Sequence, residues 1–240
     1  MPDSGKMAGR AEAHWIEDRI ELEALSPEWE ELLRTSRADT IFLTPDWTLA
    51  WLDAYAATSY VRALALRRDG ALIGLALFSL RPAMAGATPA RRVLGFMAGA
   101  SEDSDYLDLI AAPGLETLVS AGMLDTCARE GMDYDLLRLN DMPAKSPCLH
   151  AVREWLHARV DLPGDFDSYL KMLKPRMRTK VRKLLREIDQ REDAKFDPCR
   201  DETQLAERLQ SLYALHGARW RLAGNDGIFV DPAKRRFYEE

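Results

Sequence analysis

The sequence predicts a mixed α/β protein, and three observations carry that expectation. Asp69-Gly70 separates two β-rich runs, 61–68 and 71–81, and a two-residue Asp-Gly in such a place signals a hairpin, because a type I′ turn needs φ > 0 at both central residues. Ser26-Pro27, Thr44-Pro45 and Asp231-Pro232 each have the form of a helix N-cap followed by proline at the first helical position. Strand-like and helical segments then follow one another in an order that suits a sheet with helices on its faces.

Along the chain, residues 1–13 read as a disordered tail and 14–22 as a strand. A helix starts at Ser26, and a second at Thr44 carries Trp47, Leu49, Ala50, Trp51, Ala54 and Tyr55 at helical spacing. The hairpin should bring Leu66 and Leu72 near one another across paired strands. Its second arm is apolar almost throughout, as a central strand covered on both faces would be. Strands at 92–97 and 106–111 lead through Pro113-Gly114 into an amphipathic helix at 115–130, then a strand at 135–139 and a helix at 147–158.

Residues 159–165, with Pro163-Gly164, read as the junction between a first domain (14–160) and a second unit (161–240). The second unit should hold a basic helix, a short strand at 195–199, a long helix at 201–222, a glycine-rich turn at 224–227 and a helix from Asp231. One strand cannot close a sheet, so this unit reads as the start of an incomplete domain. Its apolar residues, among them Leu205, Leu209, Leu212, Tyr213, Ile228, Phe229, Phe237 and Tyr238, should then stay exposed, favouring self-association, or pack back onto the first domain. The same reasoning expects proteolysis after about residue 159.

At 240 residues, 47% apolar and 30% charged, the composition is that of a folded globular chain. A formal charge of −6 gives the whole molecule no attraction to nucleic acid or anionic membrane, so any anion site must be local. No stretch has the length and apolarity of a signal peptide or a membrane span. Cys127, Cys148 and Cys199 are far apart and in no CxxC pair, which fits reduced thiols in the cytoplasm and no metal site.

Three constellations could carry chemistry. Residues 171–186 hold Lys171, Lys174, Arg176, Arg178, Lys180, Arg182, Lys183 and Arg186 with no acid among them. Met177, Val181, Leu184, Leu185 and Ile188 form one seam of the same helix. This is a solvated face, a site for a phosphate-bearing ligand, or a surface for membrane or nucleic acid. In the long helix, Leu205, Leu209, Leu212, His216 and Trp220 recur every three or four residues, so His216 is either a satisfied core histidine or a base in a cleft, with Arg219 able to hold an anion beside it. Ser104, Asp105, Tyr106 and Asp108 crowd where a strand begins, as caps or as ligands gathered at a strand end. The candidate catalytic residues are His216 and Tyr106, and the candidate substrate-binding residues are Asp105, Asp108, Arg176, Arg178, Lys180, Arg219 and Trp220. Walker, GxGxxG, HExxH and GxSxG motifs are absent, which removes support from kinase, dehydrogenase, metalloprotease and hydrolase readings.

FLTPDWTLAWLDAY, RRDGALIGLALFSL, SDYLDLIAAPG, LPGDFDSYLKMLKPRMRTKVRK and LHGARWRLAGNDGIFVDPAKRRFY, in that order, resemble the GNAT-superfamily acetyltransferases associated with cellulose biosynthesis, which are similar to the Fem peptidyltransferases. The resemblance implies an α/β fold: a GNAT-like mixed sheet with helices on both faces, followed by a partial second GNAT-like domain. It also implies an acyl-CoA-dependent N-acyltransferase. Its cofactor would be acetyl-CoA or another acyl-CoA, and its acceptor an amine of a sugar, amino-acid or cell-envelope precursor, as in exopolysaccharide synthesis. The amine attacks the thioester directly, with no enzyme-bound acyl group. Two departures stand out: the stretch 111–115 offers only Pro113-Gly114 where the family cradles the CoA pyrophosphate, and the second-domain region that would bind CoA is missing. The rival expectation is a non-catalytic module that holds an anionic partner through the basic helix.

Overall fold

In the computed structural model, which describes residues 11–55, 60–81, 92–99, 101, 103–129, 133–143, 145–146 and 160–240, the first strand, β1 (Glu12–Ile16), begins inside the segment expected as a tail. The extended run does not continue to residue 22. The Asp18 carboxylate accepts hydrogen bonds from the Ile20 and Glu21 amides and starts helix α1 (Arg19–Ala24) instead. Helix α2 (Ser26–Thr35) follows with Leu25 in the N-cap position expected of Ser26 and Pro27 in its first turn. Helix α3 (Pro45–Tyr55) opens as predicted at Thr44, whose hydroxyl oxygen accepts from the Trp47 amide at 3.4 Å.

Strands β2 (Tyr60–Val61) and β3 (Ala63–Arg68) form one arm of the hairpin, and β4 (Ala71–Ala76) and β5 (Phe78–Arg81) the other. Asp69 and Gly70 take φ of 51° and 82°, the left-handed pair that a type I′ turn demands. A bulge between Leu66 and Arg67 shifts the register, so Leu72 lies opposite Arg67 and Leu66 opposite Gly74. The two leucines therefore flank the bulge rather than pair. Both arms break at Arg62 and Leu77 and carry the hairpin from one sheet, of order β1-β3-β4-β7, into a second, of order β2-β5-β6-β8.

Strands β6 (Val93–Phe96) and β7 (Ile110–Ala111) lie end to end against the second arm. The Met97 amide donates to the Leu77 carbonyl and the Ala112 amide to that of Ile73. The described residues between 98 and 108 leave the sheet between them, so the strand expected at 106–111 shrinks to two residues, and Tyr106 takes a left-handed φ of 56°. Helix α4 (Glu116–Cys127) then crosses the sheet and delivers β8 (Leu136–Arg138) parallel to β6, with Val93 opposite Leu136 and Gly95 opposite Arg138. A Cβ on Gly74 would lie 2.5 Å from Val119, so α4 rests directly on the backbone of β4, while α2 covers β4 and β7 from the other face. Trp29, Trp51, Phe78 and Phe96 fill the core.

The helix expected at 147–158 lies outside the described residues. Beyond it, α5 (Phe166–Met172) and α6 (Pro175–Asp189) replace the single basic helix, because Pro175 holds the residue before it extended. No strand forms at 195–199; every residue there is exposed, and a strand without a partner has no ladder to hold it. Helix α7 (Glu202–Leu222) and, after the turn at 224–227, helix α8 (Pro232–Glu239) end the chain, α8 capped by the Asp231 carboxylate on the Ala233 amide. The chain groups into two units, Met1–Ala151 with Tyr213–Glu240, and Val152–Leu212, so the last helix belongs with the first domain. Among the described residues, no helix is long and apolar enough to cross a membrane.

Candidate functional site

The excursion at 98–108 leaves the sheet at the carboxyl ends of the parallel pair β6 and β8. In an α/β sheet, strand carboxyl ends are where the backbone diverges and ligands are received. One face of α3 holds it. The Trp47 indole donates to the Ser104 hydroxyl at 2.9 Å, the Trp51 indole to Ser101 at 3.0 Å, and the Tyr55 hydroxyl to the Asp103 carboxylate at 3.4 Å. These three donors are spaced by four residues, so each helical turn supplies one.

From α8, the Lys234 ammonium reaches the same excursion and donates to Asp103 Oδ1 at 2.9 Å and to the Ser101 carbonyl. Burial and the Asp103 charge both push the Tyr55 phenol above its ordinary value, so it remains a donor at neutral pH. The Tyr238 phenol is raised for the same reasons in the same order. Sequence reasoning missed this node. The repeat of Trp47, Trp51 and Tyr55 marked a helix face, but nothing local marks Lys234 as the partner of a residue 131 positions away.

The predicted site residues fall on three elements. Asp105, Tyr106 and Asp108 lie in the excursion. Asp108 is buried, its Oδ1 accepting from the Ser146 hydroxyl at 2.7 Å and the Leu109 amide at 2.8 Å, and burial raises its pKa against those two bonds. Its carboxylate thus ties the excursion to the segment beyond β8.

His216, Arg219 and Trp220 lie on α7. The Trp220 indole donates to His216 Nε2 at 2.8 Å, and an indole N–H can only donate, so Nε2 is the accepting nitrogen and the neutral ring carries its proton on Nδ1. Nδ1 is buried without a hydrogen-bond partner, and the ring stands edge-on to Phe229 with centroids 4.8 Å apart. Gly227, at φ 77°, passes so close that a Cβ there would lie 2.7 Å from Nδ1. Arg219 is exposed and lays its guanidinium 5.8 Å from the Trp220 ring centroid.

Arg176, Arg178 and Lys180 lie on α6, none of whose residues is buried. Arg178 is committed elsewhere: it donates to the carbonyls of Leu170, Lys171 and Leu173 and so closes the carboxyl end of α5. Its neighbours Arg176 and Lys180 face solvent. Among the described residues, no group of three His, Cys, Asp or Glu could hold a metal ion.

The strand–loop–helix segment where the resemblance would seat a pyrophosphate runs from β7 through Gly114, at φ 78°, into α4. Leu115 is its N-cap residue, without a side-chain bond, and Glu116 lies in its first turn. That carboxylate already complements the positive end of the helix.

No protein-family model matches the sequence, and no curated protein does. Among solved structures, the chain is similar to an aminoglycoside acetyltransferase from an uncultured soil metagenomic sample, at 17% identity and a TM-score of 0.35, over 65% of this chain and 99% of that one.

Proposed function

We propose that the chain is an acyl-CoA-dependent N-acyltransferase acting on an amine of a sugar, amino-acid or cell-envelope precursor. One observation supports this above the others: helix α4 delivers β8 parallel to β6, and Asp105, Tyr106 and Asp108 stand at the carboxyl ends of that pair. The order of strands and helices up to β8 follows the expected one except that α1 adds a third helix before the hairpin. In the reaction, the acceptor amine adds to the thioester carbonyl, the C–S bond breaks, the CoA thiolate leaves, and the ammonium proton passes to a base. His216 is the base in this reading, once Trp220 releases Nε2, and Tyr106 returns a proton to the thiolate. Asp105 holds the acceptor cation, while Arg219 holds an anionic group and Trp220 a ring face; Arg176 and Lys180 remain a solvated face in this reading. Asp108 and Arg178, whose bonds are internal, keep the framework in place.

Calorimetric titration with acetyl-CoA, and release of free CoA thiol in the presence of an amine panel, test the proposal. Saturable binding and amine-dependent thiol release are expected. Absence of binding by acetyl-CoA and by longer acyl-CoAs would remove the reading.

The lack of any buried residue on α6 favours a second reading, a binding module that holds an anionic polysaccharide precursor or phospholipid headgroup on that helix. Replacing Arg176, Lys180 and Arg182 with Gln, and sparing Arg178 for its work on α5, separates the two. The module loses its ligand, whereas acyl transfer that does not use the helix continues.

A further inference from the structure

Arg81, at the end of β5, extends its guanidinium across β6 and over Gly95. A Cβ on that glycine would lie 2.7 Å from the Arg81 terminal nitrogen and 2.9 Å from the Arg138 carbonyl, so only glycine leaves this passage open. Gly95 is the register partner of Arg138 on β8 and of Ser79 on β5, and paired residues turn to the same face of a sheet. Two guanidinium-bearing residues and a hydroxyl are thereby gathered on one face, at the carboxyl ends of the parallel pair.

Two of these polar atoms have no hydrogen-bond partner. Arg81 Nε is buried without a hydrogen-bond partner, and Ser79, fully buried, has an unpartnered Oγ. No acidic residue among those described pairs with Arg81 or Arg138, although the chain forms ion pairs freely elsewhere. Burial first, and then the like charge of Arg138, lower the affinity of Arg81 for its proton, yet a guanidinium stays charged at any physiological pH. A fold that holds two cations side by side without a carboxylate bears an electrostatic cost that a bound anion would offset.

We propose that Arg81 and Arg138 form a binding site for a phosphoryl group beside Gly95, where β5, β6 and β8 adjoin. The set contains only donors toward a ligand. Its two forked guanidiniums match a dianion with three terminal oxygens better than a single carboxylate. The phosphoryl group could belong to an acyl carrier or to a phosphorylated acceptor, and the site stands whether or not acyl transfer is the activity.

The test is thermal unfolding of the full chain with inorganic phosphate, against sodium chloride at matched ionic strength. The midpoint should rise with phosphate as a single saturable site requires, and chloride should not reproduce the rise. Arg138→Gln, at an exposed position, should keep the fold and weaken phosphate binding about 10- to 100-fold, the loss expected for a charge-assisted contact. Arg81→Gln should unfold at a higher temperature than the parent in phosphate-free buffer, because it removes a buried unpaired charge, and should lose the response to phosphate. Displacement of phosphate by CoA, weakened by Arg138→Gln, would assign the group to the acyl carrier; phosphate binding indifferent to CoA would assign it to an acceptor. An equal rise in chloride, or an undiminished phosphate response in Arg138→Gln, would overturn the site.

Discussion

Lys234 and Asp103 form an ion pair 2.9 Å long whose side chains are 9% and 2% exposed, joining the last helix of the chain to the excursion that interrupts the sheet. A charge pair so enclosed is stable only while both members are present, since removing one leaves the other desolvated and unmatched. Lys234→Met is therefore expected to lower unfolding free energy by about 3–5 kcal/mol. Adding Asp103→Asn should restore a large part of the loss. Urea unfolding of both variants checks this, and equal losses in the single and double variants would show that the pair is not coupled.

Gly227 is expected to tolerate no side chain. Its φ of 77° with ψ of 176° is a region that only glycine populates, and a Cβ would lie within 2.6–2.9 Å of the His216 and Trp220 rings. Gly227→Ala should cost roughly 3 kcal/mol or more, from strain and overpacking together. Gly224, at φ 82° with nothing within 4 Å of where a Cβ would lie, provides the control: Gly224→Ala should cost only about 1–2 kcal/mol. Matching losses at the two positions would mean that the ring contacts contribute nothing.

Elements with local signals were legible in the sequence. Asp69-Gly70 determined its own turn, Thr44-Pro45 its own helix start, and the helical periodicity placed α4 and α7 within a few residues of their observed ends. Where a side chain a few residues away overrides composition, legibility fell: Asp18 ended a strand-like run by capping α1, and the bulge at Leu66 shifted a correctly placed hairpin. The sites were the least legible part. Asp108 and Arg178 have the residue types of ligands, yet their neighbours are a buried serine and three backbone carbonyls, which no spacing rule reveals. Lys234 and Arg81 gain their roles only from chain segments far away in sequence.

Asp108 should make stability depend on pH. Burial raises its folded pKa above the ordinary 3.8, so between that value and the folded pKa the native state holds more protons than the unfolded chain, and stability falls as pH rises through the window. Asp108→Asn removes this contribution. Its Oδ1 can still accept from both Ser146 and Leu109, so the variant should be more stable than the parent at pH 7 and equal to it below the unfolded pKa. Urea midpoints measured from acid to neutral pH decide the matter. A variant less stable at every pH would show that the charge itself is needed.

Limited trypsin treatment should cut the chain at Arg191, Lys195 or Arg200 without releasing its end. Residues 190–203 are exposed throughout and join two helices without a strand, so opening them for cleavage disturbs little packing. The far side of the cut is held differently. Tyr213, Phe229 and Phe237 are buried, and Phe237 packs edge-on against Trp47 of α3 with centroids 4.9 Å apart. The Lys234–Asp103 pair adds a second tie between the same elements. The apolar residues expected to be left uncovered in this tail have therefore split: Phe237 packs back onto α3, Tyr213 and Phe229 are buried against one another within the tail, and Leu205, Leu212 and Ile228 remain exposed. The nicked protein should accordingly elute as one species under native conditions and separate into two fragments only in denaturant. Phe237→Ala combined with Lys234→Met should free the carboxyl-terminal fragment without denaturant. Its release from the unaltered chain immediately after cleavage would show that covalent connection, not packing, holds α8 against α3.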